Sequence, residues 1–147
     1  MGLTRIRDLK TLHLRMERHA ATAMAVAQFL ESSPLVELVS YPGQSGHPLH
    51  DIARKQMSGY SRMQSFELKG GVKAGHRLIN GVELCLLSVS LGSTDTLIQH
   101  PASMTHAIVP RDMGLKIGIT NGLVRISVGI EDAEDIMADL DEALDKV

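Results

Sequence analysis

The chain has 147 residues, 44% of them hydrophobic, enough to build one core and to bury roughly two-thirds of the surface that its unfolded form exposes. A formal charge of -2 offers no electrostatic footprint for nucleic acid, and no run of about 18 apolar residues is present to span a bilayer. The one cysteine, Cys85, cannot form an internal disulfide, and the N-terminus lacks a signal-peptide pattern, so a reducing, cytoplasmic setting is expected.

Taken in order, Leu9, Leu12, Met16, Ala20, Ala23, Ala27 and Leu30 recur every three or four positions and predict a long helix over 9–30. Ser32-Ser33-Pro34 ends it, because proline disfavours helical geometry in the residue before it and donates no backbone hydrogen bond. A short strand follows from Leu35 to Tyr41. Turn residues at Pro42-Gly43-Gln44-Ser45-Gly46 then lead to a second, shorter helix over 47–57, starting near Pro48. Met63 to Lys69 alternates, with Phe66 and Leu68 on one face and Ser65, Glu67 and Lys69 on the other, which predicts a half-buried strand.

Gly70-Gly71 suits a turn, and Val72, Gly75 or His76, and Ile79 are spaced for one side of a two-turn helix. Leu84 to Ser90 reads as the next strand. It delivers its end, Ser90-Leu91-Gly92, into a segment of about 18 residues reaching Val109. Structureless connections beyond about 12–15 residues are usually functional or disordered, so this loop, with its hydroxyls, amide and histidines, is the first place to look for a site. One helical turn over 110–116 and a strand over 123–128 follow. Asp132 is placed to cap a final helix whose apolar stripe is Ile136, Met137, Leu140 and Leu144. From Glu131 to Val147 the chain carries eight acids against one base, Lys146, which reads as a solvated acidic face. Helices alternating with short strands predict a single α/β domain over 1–147, a two-layer sandwich with a small sheet and helices packed on one face.

Candidate chemistry is sparse. Val124, Ile126 and Val128 fall on one strand face and leave Arg125 with Ser127 on the other, where a planar guanidinium suits bidentate recognition of a carboxylate. Taken alone, such an arginine is most often solvated or ion-paired, and Ser90, with no nucleophile elbow around it, is most often a turn residue. His47 and His50, three apart, and His100 and His106, six apart, lack the companion ligands of a metal site and read as structural or surface histidines. Gly70-Gly71 lacks the spacing of a phosphate loop, and the methionines read as packing residues.

Longer matches add to this reading. Asp8-Leu9-Lys10-Thr11-Leu12, Arg15-Met16-Glu17-Arg18-His19, Tyr41-Pro42-Gly43, Gln56-Met57-Ser58-Gly59 and Phe66-Glu67-Leu68-Lys69-Gly70-Gly71 are followed by Val89-Ser90-Leu91-Gly92. The run from Thr96 through Gln99-His100-Pro101-Ala102-Ser103-Met104-Thr105-His106 and that from Gly122 through Arg125 to Asp132 complete the pattern. In this order they resemble the C-terminal domain of the pyridoxal 5'-phosphate-dependent enzymes of cysteine and methionine metabolism: methionine gamma-lyases, cystathionine gamma-lyases and synthases, and O-acylhomoserine sulfhydrylases.

The resemblance implies that Arg125 pairs with the α-carboxylate of a sulfur amino-acid substrate and that Ser90 assists there, flanked by Val89 and Leu91. An apolar Val89 resembles the methionine gamma-lyase pattern more than the glutamate of some cystathionine enzymes and suits a thioether better than a second ammonium group. Elimination and replacement both stay open. The family's Schiff-base lysine and phosphate cradle belong to an N-terminal domain. None of Lys10, Lys55, Lys69, Lys73, Lys116 and Lys146 stands in the expected context, and Asp8 replaces the family's usual glycine. The expectation is therefore a substrate-carboxylate domain without its cofactor domain, inactive alone, whose partners are a cofactor-domain chain or missing N-terminal domain and further copies of itself. The alternative is a stand-alone amino-acid-binding or assembly module that catalyses nothing. Neither reading calls for nucleic acid, membrane or metal.

Overall fold

Strict alternation in the strand Leu123–Ser127 decides where the sheet lies. Val124 and Ile126 are fully buried beneath helices, and Arg125 between them points to the opposite side. In the computed structural model, which describes residues 2–147 and leaves Met1 outside them, the elements run as follows. Helices α1 (Gly2–Lys10) and α2 (Leu12–Ser32) precede strand β1 (Val36–Ser40), helix α3 (His50–Gln56), strand β2 (Met63–Leu68) and helix α4 (Gly71–Gly81). Strands β3 (Leu86–Leu87) and β4 (Leu97–Gln99), helix α5 (Arg111–Lys116), strand β5 (Leu123–Ser127) and helix α6 (Ala133–Leu144) complete the chain.

The five strands form one open sheet in the order β1-β2-β5-β4-β3. All pairings are antiparallel except β3 with β4. Helices α2, α4 and α6 cover one face, where Val26, Leu30, Phe66, Leu78, Ile98, Ile126, Ile136 and Leu140 make a continuous core. The predicted two-layer α/β class with helices on one face is the observed one.

Local chemistry explains the boundaries. Alanines through the middle of α2 favour helix at little entropic cost, and Ser33 with Pro34 stops it, the Ser33 N–H donating to the Leu30 carbonyl at 3.2 Å. Gly70 (φ +96°) and Gly71 (φ +64°) turn the chain into α4 through left-handed backbone that other residues adopt at a cost. The Asp132 carboxylate caps α6 as predicted, accepting from the Glu134 N–H at 3.1 Å.

Five expectations are corrected. The helix over 9–30 is broken at Thr11, where the Arg15 guanidinium takes the Asp8 carbonyl at 2.8 Å; Leu9, Leu12 and Met16 are exposed, and the buried stripe begins only at His19. The strand over 84–90 shrinks to Leu86–Leu87 at the sheet edge, with Leu86 50% exposed. The segment over 92–109 is not structureless, because it contains β4, buried between β5 and β3. The helix over 47–57 starts only at His50, and in α4 it is Ala74, Gly75, Leu78 and Ile79 that are buried while Val72 is exposed.

One acid also departs from the solvated face expected of α6. Asp139 is buried, and its two carboxylate oxygens accept from the Glu83 N–H at 2.6 Å and the Cys85 N–H at 2.8 Å. Burial works to raise its pKa, but those backbone donors outweigh it and hold the carboxyl below its ordinary value. Burial first, then Asp139 itself, pushes the Cys85 thiol in the other direction, well above its ordinary range. Asp139 thus fastens α6 to the segment that leads into β3.

Candidate functional site

The open face of the sheet is where polar groups collect. Register places Ser65 on β2 and Gln99 on β4 directly opposite Arg125 on β5, and Ser40 on β1 opposite Ser65, so one cross-strand row reads Ser40, Ser65, Arg125, Gln99. Antiparallel neighbours on both sides make β5 the most rigid place on this face for a long side chain.

Arg125 is held at its stem end. Gln99 is only 2% exposed, and with its amide oxygen turned to the guanidinium it accepts from Nε at 2.9 Å and Nη2 at 3.0 Å. Nη2 also donates to the Val89 carbonyl at 3.4 Å. That carbonyl is kept in place because the preceding chain is sewn to β4: the Leu86 N–H donates to the Thr96 carbonyl at 2.9 Å, and the Ser88 N–H to the Ile98 carbonyl at 3.1 Å. These three bonds fix the guanidinium plane and leave Nη1 without a hydrogen-bond partner among the described residues.

Around it lies a hollow of about 350 Å³, lined by Met63, Leu123 and Ile119 on its apolar side and by Ser65, Gln99, His47, His106 and Arg125 on its polar side. No aspartate or glutamate lines it, so the guanidinium charge is uncompensated there. A cation pre-oriented by an amide, beside a pocket with apolar walls, is suited to a carboxylate that carries an apolar chain.

The residues singled out from sequence are distributed unevenly. Arg125 stands at the centre of the hollow, whereas the side chains of Val89, Ser90 and Leu91 are exposed on the loop after β3 and do not line it. The structure brings the Val89 backbone, not its side chain, to Arg125. The Ser90 N–H donates to Ser88 Oγ at 3.3 Å, a local turn bond.

Ser65 and His47 are residues of the hollow that sequence reasoning missed as site groups. Gln99 and His106 were marked only as the amide and a histidine of the segment over 92–109, because Thr96-Leu97-Ile98-Gln99 is too short to show alternation. His47 lies before α3, so it shares no helix face with His50, whose Nδ1 instead meets the Pro42 carbonyl at 2.9 Å. His100 is buried, its Nε2 donating to the Asn121 carbonyl and its Nδ1 accepting from Ser103 Oγ, both at 2.8 Å. Burial is the main reason that its pKa is lowered, so it stays neutral. Among the described residues no group of three or more His, Cys, Asp or Glu side chains is placed to hold a metal ion. No helix among them is long and apolar enough to cross a membrane.

Comparison with known proteins gives the same direction. A family described as Cys/Met metabolism PLP-dependent enzyme matches residues 3–145. An L-methionine gamma-lyase of Fusobacterium nucleatum subsp. polymorphum is 54% identical over 142 residues, 97% of this chain and 36% of the relative. An L-methionine gamma-lyase of Pseudomonas putida is 49% identical over 95% of the chain and 35% of its own length, and a cystathionine gamma-lyase of Dictyostelium discoideum 47% identical over 96% and 36%. The chain thus spans about a third of the length of the curated relatives it matches. On the strength of a family match over nearly its whole length, the chain belongs to the pyridoxal-phosphate-dependent enzymes of cysteine and methionine metabolism.

Proposed function

We propose that this chain is the substrate-carboxylate domain of a pyridoxal-phosphate-dependent lyase or transferase acting on a sulfur amino acid, by γ-elimination or γ-replacement. The observation that carries the reading is Arg125, oriented by Gln99 and facing a hollow that holds no acid. The guanidinium neutralises the α-carboxylate and sets its plane. The apolar walls take the thioether or methylene chain, whose burial there costs nothing in unpaired polar groups. Ser90, Val89 and Leu91, on the loop whose backbone touches Arg125, close over the same carboxylate from the edge of the sheet.

The family's cofactor does not fit this hollow as an anchoring site. Its attachment needs an amine, and none of the chain's lysines lines the cavity; Lys69 and Lys146 instead donate to the carbonyls of Pro34 at 2.6 Å and Gly81 at 2.9 Å. The chemistry at the substrate's carbon atoms is therefore assigned to a cofactor-bearing domain or chain that completes the enzyme, and this chain supplies recognition and orientation. On this reading the domain is inactive alone, works in an oligomer and resides in the cytoplasm.

In the enzyme that contains this chain, Arg125→Lys keeps the charge but loses the fork, and Arg125→Ala loses both. The expected result is a rise in KM for L-methionine or cystathionine of about 10-fold for the lysine variant and about 100-fold or more for alanine, from loss of a charge-assisted pair of about 3 kcal/mol. Equal KM values for the three proteins would refute the reading.

A further inference from the structure

A second group of cations lies on the opposite side of the sheet and is not used by the Arg125 site. His19, fully buried on α2, donates from Nδ1 to the carbonyls of Val128 at 2.8 Å and Gly129 at 2.9 Å. Its Nε2 then has only a lone pair, and it accepts from Arg62 Nη1 at 2.8 Å. Arg15 precedes His19 by one helical turn and stands on the same side of α2. His19 thus holds Arg62 directly, one helical turn along α2 from Arg15.

Neither arginine meets a carboxylate. Among the described residues the ion pairs are Arg18 with Asp132 and Arg54 with Asp51. The other contacts of Arg62 and Arg15 are to the carbonyls of Ser93 at 3.5 Å and Asp8 at 2.8 Å. The Arg15 Nε is buried with no partner. Gln64 follows Arg62 by two residues and lies on the same side of β2 as the buried Phe66 and Leu68; it is 3% exposed, and neither its amide nitrogen nor its amide oxygen is bonded. Buried polar groups are almost always paired, and leaving one unpaired costs about 1–3 kcal/mol. Burial, followed by the charge of Arg15, also lowers the pKa of Arg62, as expected of a guanidinium held away from water with a second one nearby.

We propose that Arg15 and Arg62, backed by the Gln64 amide, form a second site that binds an oxyanion between the start of α2 and the start of β2. The guanidinium groups supply charge-assisted donors in fork geometry, and the Gln64 amide supplies a further donor. Carboxylate and phosphate share this chemistry. The site does not depend on the reading of Arg125, whose own contacts are with Gln99 and Val89, although Gln64 also borders the Arg125 hollow. Occupancy would be felt at the substrate loop, because Arg62 also bonds the Ser93 carbonyl just beyond Leu91 and Gly92.

The test is a titration of the 147-residue chain with inorganic phosphate and, separately, with acetate, following the arginine Nε–Hε resonances by NMR. Saturable shifts of the Arg15 and Arg62 resonances that persist in Arg125→Ala, vanish in Arg62→Gln and weaken at least several-fold in Arg15→Gln would support the site. Tighter binding of phosphate would assign it to phosphoryl groups, and equal or tighter binding of acetate to carboxylates. No saturable shift with either probe, or an unchanged response in the arginine variants, would overturn it and leave Gln64 bonded to water alone. Circular dichroism establishes that each variant is folded, and the half-buried position of Arg15 next to a break between helices makes its variant the safer of the two.

Discussion

The two faces of the sheet are built from the same strands and obey different rules. On the helix-covered face Val124, Ile126, Phe66 and Ile98 are buried to the last few per cent, and their identities are dictated by packing. On the open face, one residue along, Arg125, Ser65 and Gln99 are dictated by what they point at. Alternation at a period of two lets a single strand, β5, serve both demands without compromise. On the proposed role of Arg125, stability and recognition are separable here at the level of adjacent residues.

The largest effect should come from breaking the buried face. Ile126→Ala removes a fully buried side chain at the centre of the sheet and is expected to cost about 2–5 kcal/mol in chemical denaturation. Arg125→Ala, its neighbour, should change the same midpoint by less than about 0.5 kcal/mol while weakening carboxylate binding about 10-fold or more. Comparable losses of stability in the two variants would erase the distinction between the faces.

A smaller loss is expected where a polar group does the work of packing. Asp139→Ala strands the N–H groups of Glu83 and Cys85 and should cost about 1–3 kcal/mol, with faster hydrogen exchange across 82–87. Uniform exchange across the chain would show that Asp139 does not secure β3. The helix face should also respond to acid. His19 and His100 both have pKa values lowered below the ordinary 6.5, chiefly by burial, so the unfolded chain takes up protons that the folded one refuses. Stability is full above that value and declines as pH falls below it. The check is a series of denaturation midpoints across pH 5–8, in which His19→Gln should flatten the slope.

The smallest effect on stability, and the sharpest on the open face, belongs to Gln99. Gln99→Glu places a charge against Arg125 and should leave the melting temperature nearly unchanged or raised, while weakening carboxylate binding about 10-fold or more by pairing the guanidinium internally. Unaltered binding would mean that Gln99 does not orient Arg125.

Legibility in the sequence followed the same division. The strands that alternate, Met63–Leu68 and Leu123–Ser127, were readable because the buried face imposes a period, and so was the Asp132 cap, because few residues can do its task. Strand β4 was not. All three of its residues are buried, Leu97 and Gln99 on the open face included, so no contrast of polar and apolar marks it. The apolar run at Leu84–Leu87 misled for the opposite reason: Leu84, Leu86 and Leu87 are 40%, 50% and 48% exposed at the sheet edge. Self-association of the isolated chain, measured by light scattering, is expected through Leu86, Leu87, Val89, Leu91 and Ile108, the last 94% exposed. Arg125 itself carried no local sign of function; its role was suggested by the resemblance, and its geometry came from a glutamine that the resemblance contains but does not explain.

The most direct test of the proposed carboxylate role compares two ligands competing for an enzyme assembled with this chain. One is 3-(methylthio)propionate, which has the carboxylate and no amine; the other is 3-(methylthio)propylamine, which has the amine and no carboxylate. Arg125→Ala should weaken the first about 10-fold or more and the second by less than about twofold. Equal losses for both ligands, or none for the propionate, would contradict the assignment of Arg125 to the substrate carboxylate.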